Sequence, residues 1–333
     1  MNAMKVAIGG LRGFVRARRR LRGPRRPTWN EQVETFASFL RVYGLLAPVL
    51  PVAIMRKEMV KVLAPSESER LAHYEPTDAG GVDAEWIRWN GADNGAVFIY
   101  LHGGGYVIGS TNTHRDLLSR LARSTGISVL APNYRLAPEH PFPAQLEDAL
   151  AVYRWVRGRG VPASRIVLGG ESAGGGLTLA TLMTLRDAGE PMPAAAVLLS
   201  PWVDMTSDTE SFRTNARYDY INARSLDRFA GYYLGVRGDR SNPLASPVRA
   251  DLSGLPPLLV HLGGAEALLD QGLQLTRNAR DAGVSVELDV WPDMIHAWHV
   301  LANVIPEGQQ AIDRVARFAR ARIATARVLS AVT

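Results

Sequence analysis

An α/β fold is what this sequence predicts: a mostly parallel central sheet with helices on both faces and a helical cap over one edge. Three observations carry that expectation. Short apolar runs alternate with helical periodicities along most of the 333 residues, the pattern of parallel strands joined by crossover helices. One run stops at Gly170-Glu171-Ser172-Ala173-Gly174 and passes at once into a helical pattern, the form of a tight strand-to-helix turn that presents a serine. A polar and aromatic insertion then follows a core strand, which places it near the edge where open α/β sheets bind ligands.

The chain opens on Lys5, Arg12, Arg16, Arg18, Arg19, Arg20, Arg22, Arg25 and Arg26 with no acid before residue 28, so the remainder carries a net −3 of the overall +6. Residues 1–27 are therefore a basic tail, read as a solvated terminus or as an arm for an anionic surface. No nucleic-acid partner is expected. The charges are followed by no apolar segment of secretory-signal length before Pro27. Residues 43–55 are uncharged, but Pro48 and Pro51 break them and they are too short to span a bilayer. Weak association with a membrane surface is the most that the tail and this segment allow, and the cytoplasm is the expected compartment. Cysteine is absent, which excludes disulfides and thiol nucleophiles.

Within residues 30–43, Val33, Phe36, Phe39, Leu40 and Tyr43 recur at helical spacing, and residues 55–63 read as a second short helix. Together, residues 28–65 form the N-terminal part of the cap. Residues 85–90 alternate like a strand and 96–101 form a buried one. A helix near 115–123, a strand at 127–132, a helix at 144–157 and the serine strand at 165–170 follow. Further strands are expected at 194–199, 258–262 and 284–291, with helices after Leu269 and over 309–324, where Ile312, Val315, Ala319 and Ile323 keep the period. The core is thus 66–201 plus 254–333. Residues 202–253, rich in Phe212, Tyr218, Tyr220, Phe229, Tyr232 and Tyr233, are the cap insertion.

Around Ser172 three features gather. His102-Gly103-Gly104-Gly105-Tyr106 sits directly after the 96–101 strand. Glycines let backbone N–H groups approach a developing oxyanion, so Gly104, Gly105 and Ala173 are the expected donors. His296 follows the last strand and is the expected base, with His299 as its competitor; a zinc pair of these two lacks a third ligand, and no metal is expected. An acid must hold the imidazole, and two compete after the penultimate strand: Glu266, nearer the strand end, and Asp270, which looks like a helix cap. The chain order is serine, acid, histidine. Tyr106, Trp202, Ile295, Phe36 and Tyr43 are the expected substrate-pocket residues.

These motifs, with Tyr134-Arg135-Leu136-Ala137-Pro138-Glu139-His140, Phe142-Pro143-Ala144, Ser246-Pro247 and Leu255-Pro256-Pro257-Leu258 in the same order, resemble the hormone-sensitive-lipase-like serine esterases of the α/β-hydrolase fold. The resemblance implies carboxylic-ester hydrolysis through an acyl-enzyme without cofactor, by a Ser172, His296, Glu266 triad. An aromatic cap suggests short to medium acyl chains. Glu171 and Glu266 stand where the commoner family pattern has aspartate, and glutamate at both points is similar to some bacterial esterases and lactone hydrolases, which adds lactones as substrates. Homodimers are common among similar proteins. A non-catalytic small-ligand receptor on the same fold is the alternative function.

Overall fold

The computed structural model describes residues 3–59, 66–206, 208–235 and 238–330. In chain order the elements are α1 (Ala3–Arg22), α2 (Glu31–Leu46), α3 (Val52–Met59), α4 (Glu67–Leu71), β1 (His73–Asp78), β2 (Asp83–Arg88), β3 (Asp93–Leu101), α5 (Thr111–Thr125), β4 (Ile127–Pro132) and α6 (Ala144–Gly158). Then come β5 (Ile166–Glu171), α7 (Ala173–Asp187), β6 (Ala195–Leu199), α8 (Ser211–Thr214), α9 (Ala223–Leu234), β7 (Leu258–Gly263), α10 (Leu269–Asp281), β8 (Val286–Trp291) and α11 (Pro306–Ser330).

The eight strands form one sheet in the order β1-β2-β4-β3-β5-β6-β7-β8. β1, β2 and β4 pair antiparallel, and every pair from β4 to β8 is parallel. Alternate residues of the central strands enter opposite layers. In β3, Val97, Ile99 and Leu101 pack with α6, α7 and α10, while Phe98 and Tyr100 pack with α5 and α11. Burial on both faces is why β3 reads as a continuous apolar run instead of an alternating one. Helix α7 is apolar nearly all round for the same reason: twelve of its fifteen residues are buried.

Two elements depart from the sequence pattern. β1 is a polar outer strand, largely exposed, whose composition carries no strand signal because neither face is deeply covered. The basic stretch expected as a tail forms α1, with Val15 buried and with arginines that close on the next helix. Arg12 and Arg16 reach Glu31, and Arg18, Arg19 and Arg25 converge on the buried Glu34. The expected helix at 55–63 is found as α3 to Met59, and its last residues lie outside those described.

The two expected cap segments touch each other. Asn222 Nδ2 and Ser225 Oγ donate to the Gly44 carbonyl at 3.0 and 3.1 Å, and Arg228 donates to the carbonyls of Ala47 and Leu50. Helix α2 also packs Val33 and Ala37 against Met294, Ile295 and Trp298 beyond β8. Among the described residues, no helix is long and apolar enough to cross a membrane.

Candidate active site

Parallel strands β5, β6, β7 and β8 end at one edge, so the loops after β5, β7 and β8 emerge side by side. The first is the turn at Ser172, whose φ of +54° is a conformation that costs a non-glycine residue roughly 1–3 kcal/mol. Sterics explain its glycines. A Cβ at Gly170 or Gly174 would overlap the Leu101 carbonyl oxygen, so β3 and α7 come this close only without side chains. The bend is fixed by backbone bonds on both sides: Ser172 N–H donates to Leu199 at 2.9 Å, and the Ser172 carbonyl accepts from Trp202 at 2.8 Å.

The glycine run after β3 curls over this turn, with Gly104 and Gly105 at φ of +114° and +63°. Gly103 N–H is taken by Glu171 Oε1. Those of Gly104 and Gly105 meet no acceptor among the described residues, and that of Ala173, first residue of α7, is one of the donors a helix start leaves open. Glu171, buried beneath the loop, also accepts from Tyr100 Oη at 2.6 Å and pairs with His114 Nε2 at 2.8 Å. Burial pushes the Glu171 carboxyl up, but the His114 charge and hydrogen bond outweigh it and hold the group below the usual range. Burial likewise lowers His114, and Glu171 more than compensates, raising it. His102 is stacked on Tyr134 at 4.3 Å, and burial with the nearby His114 charge lowers it to about 4. It is a neutral, packed histidine.

His296 Nδ1 lies 3.1 Å from Glu266 Oε2, and Glu266 Oε1 accepts the Gly263 N–H at 2.8 Å. Both side chains are buried. Burial lowers the His296 pKa, yet the hydrogen bond and charge of Glu266, with the Asp219 and Glu171 charges, raise it overall. The competitors are engaged elsewhere: Asp270 Oδ2 accepts from Ser211 N–H at 2.7 Å, and His299 Nε2 meets His261 Nδ1 at 3.1 Å. One further carboxylate carries no signal in the sequence. Asp219, between α8 and α9, is buried and accepts backbone N–H groups from Ala267 and His296. Its flanking residues carry no motif, because its partners lie 48 and 77 residues away.

A cavity of about 400 Å³ opens above this edge between α2, α3, α5 and α9. It is mostly apolar, with Phe39, Leu40, Met55, Ile108 and Leu226 among its walls. Two wall residues tie it to the loops below: Phe229 lies against Gly105, and the Tyr220 ring stands edge-on to His296 at 5.8 Å. Of the five residues expected in a pocket, Tyr43 lines this cavity. Tyr106 is buried in a 3.8 Å stack on Tyr233, Trp202 is fully buried with Nε1 bonded to the Asp204 carbonyl, and Phe36 and Ile295 pack in the cluster beneath α2. None of these four is among the residues that line the cavity.

A family model described as the alpha/beta hydrolase fold matches residues 98–300. An acetyl-hydrolase of Streptomyces hygroscopicus is 46% identical over 72% of this chain and 80% of its own. An esterase of Acinetobacter venetianus is 34% identical over 73% and 80%. Among solved structures, an esterase of the bacterial hormone-sensitive lipase family superposes with a TM-score of 0.84 at 46% identity, over 89% of this chain and 99% of that one. The protein EstE5, from a crystal soaked with p-nitrophenyl butyrate, gives 0.80 at 40% identity over 95% and 98%.

Proposed function

This chain belongs to the hormone-sensitive-lipase-like esterases of the α/β-hydrolase fold and is a carboxylic ester hydrolase, and on that premise we propose that Ser172, His296 and Glu266 are its catalytic residues. The observation that carries the assignment is the buried His296–Glu266 contact at the same sheet edge as the strained Ser172 turn. With Nδ1 committed to the carboxylate, Nε2 is the nitrogen left to take a proton.

Ser172 Oγ attacks the ester carbonyl carbon while its proton passes to His296 Nε2. Negative charge moves onto the carbonyl oxygen, where the N–H groups of Gly104, Gly105 and Ala173 receive it, each well-aimed donor contributing on the order of 3 kcal/mol. The C–O bond to the alcohol then breaks, and the proton on His296 leaves with it. Water repeats the sequence on the acyl-enzyme, giving its proton to His296, which returns one to Ser172. Glu266 stabilises the imidazolium in both halves.

The cavity's size and apolar walls favour short to medium acyl chains, in keeping with the butyrate ester introduced into EstE5 crystals. Small lactones, internal esters of comparable bulk, are the second substrate class. The described residues of 28–65 and 202–253 are the cap over this space, and the other described residues after 65 are the catalytic core.

The test is hydrolysis of p-nitrophenyl esters from acetate to laurate, with and without a serine-directed organophosphate, and mass spectrometry to locate the adduct. Short esters should be cleaved, the label should sit on Ser172, and Ser172→Ala should lose about 10⁴-fold or more in kcat. Folded protein that neither cleaves nor takes the label would turn the reading toward a ligand receptor.

A further inference from the structure

The segment between α8 and α9 reaches behind the site and joins two loops that are remote in the chain. Asp219, 3% exposed, accepts the Ala267 N–H on Oδ2 at 2.7 Å, and on Oδ1 the N–H groups of His296 at 3.2 Å and Tyr220 at 2.9 Å. Ala267 directly follows Glu266. The same segment adds Asn215 Nδ2 on the Glu266 carbonyl at 2.9 Å, and α8 before it adds Ser211 Oγ on the Ala267 carbonyl at 2.6 Å. A single carboxylate is therefore bonded on one oxygen to the loop of the acid and on the other to the backbone of the base.

We propose that Asp219 is a positioning residue for ester hydrolysis, fixing the distance between Glu266 and His296 and placing a second negative charge beside the imidazolium. The inference rests on the triad assignment above. Every bond Asp219 makes here is to an N–H donor, so the acceptor form alone satisfies them. An amide of the same size would turn one NH₂ against a backbone N–H. The groups facing Asp219 electrostatically are His296 and Glu266 from the loops and Arg41 from α2, while His296 also feels Glu266 and Glu171 and in turn lowers His299. Burial pushes the Asp219 carboxyl up, against the pull of the His296 charge, to about 6. Its anion is consequently present above that pH and fades below it.

The experiment compares Asp219→Asn with the unsubstituted enzyme on p-nitrophenyl butyrate, with Ser172→Ala and His296→Ala as controls. Expected are a fall in kcat of about ten- to a hundredfold, the scale of a lost hydrogen bond to a charged group, an unchanged KM, and a melting transition that remains cooperative. The acidic limb of kcat/KM should move to lower pH, because His296 loses an anion that raised its pKa. A folded Asp219→Asn enzyme with wild-type kcat and an unmoved acidic limb overturns the inference. So does a loss confined to melting temperature and KM. Should the Asn variant not melt cooperatively, Asp219→Glu takes its place: it keeps the charge but displaces the oxygens, so kcat should fall while the limb stays, and an unaltered kcat overturns the inference. If the two controls retain activity, the triad assignment itself falls. If they are inactive and Asp219→Asn is not impaired, only the role of Asp219 does.

Discussion

The two halves of the site are each seated on a buried carboxylate, and the two carboxylates are held in opposite ways. Beneath the serine half, Glu171 is the last residue of β5, bonded to Tyr100, Gly103 and His114, whose pKa it raises. Beneath the histidine half, Asp219 arrives from the insertion and is bonded to backbone N–H groups. A neighbouring cation pulls the first below its ordinary pKa, while burial lifts the second to about 6. The serine half is built into the sheet, where glycines allow strand, loop and helix to lock together. The histidine half depends on a polar clamp contributed by a segment outside the sheet, and it is the half whose support weakens on mild acidification.

The largest effect expected within the serine half comes from Gly104→Ala. Its φ of +114° disfavours a side chain, and the new Cβ would overlap the Ile108 carbonyl oxygen. The loop must shift, and on the assignment proposed above a shift of a few tenths of an ångström moves the Gly104 N–H off the oxyanion. kcat should fall about 10²- to 10³-fold with KM little changed. A variant with near-normal kcat would mean that the glycine run shapes the fold and not the chemistry, and the contrast between the halves would collapse.

Glu171→Gln comes next and addresses the ion pair. The sign follows from the two directions. His114 is raised, so its contribution to stability is complete below its ordinary pKa, near 6.5, and is lost as pH rises through its folded value. Glu171 is lowered, so its contribution is complete above about 4.5 and is lost as pH falls through its folded value. The pair therefore stabilises most between those limits. The melting temperature of Glu171→Gln should lie below wild type by about 5–10 °C in that window, the scale of removing one partner from a buried pair. The gap should narrow at higher pH. Differential scanning calorimetry across pH 4 to 9 checks this, and a gap independent of pH would show that His114 is not ionised there.

The serine half was also the more legible in the sequence, for a physical reason. Close backbone approach demands glycine, and a demand of that kind leaves a local signature at Gly103 to Gly105 and at Gly170 and Gly174 that needs no knowledge of the partner. Strands β3 and β5 were legible because burial on both faces writes an apolar run. The histidine half records less locally. His296 and Glu266 are expected from their places at strand ends and lie 3.1 Å apart, but Asp219 is defined by N–H groups contributed from two other loops, and nothing beside it in the chain reports that. Aromatic residues are ambiguous in the same way: Tyr106 and Trp202 follow core strands, a position open to a pocket wall and to the core alike, and both are buried, Tyr106 stacked on Tyr233 and Trp202 tilted 6.0 Å from Tyr106. β1 was silent because an exposed outer strand needs no apolar pattern, and α1 read as solvated because arginine composition does not disclose Glu31 and Glu34 waiting on the next helix.

The smallest expected effect concerns the cavity walls, and it asks whether the cap is separable from both halves. Leu40 on α2 lines the cavity and is only partly buried, so Leu40→Trp can fill space without displacing a fully packed side chain. Acetate esters need little of that space and should keep kcat/KM within about twofold. Longer chains lose the burial of one or two methylenes, each worth about 0.8 kcal/mol, so the laurate-to-acetate ratio of kcat/KM should drop about four- to fifteenfold. The comparison is of one ratio in two enzymes, which cancels differences in active fraction. If acetate and laurate fall together, the substitution has disturbed the chemistry. Because Leu40 packs in the same cluster as Tyr220 and Ile295 around the His296 loop, such a result would place the cap's influence on the histidine half, where Asp219 accepts the His296 N–H from an inserted segment.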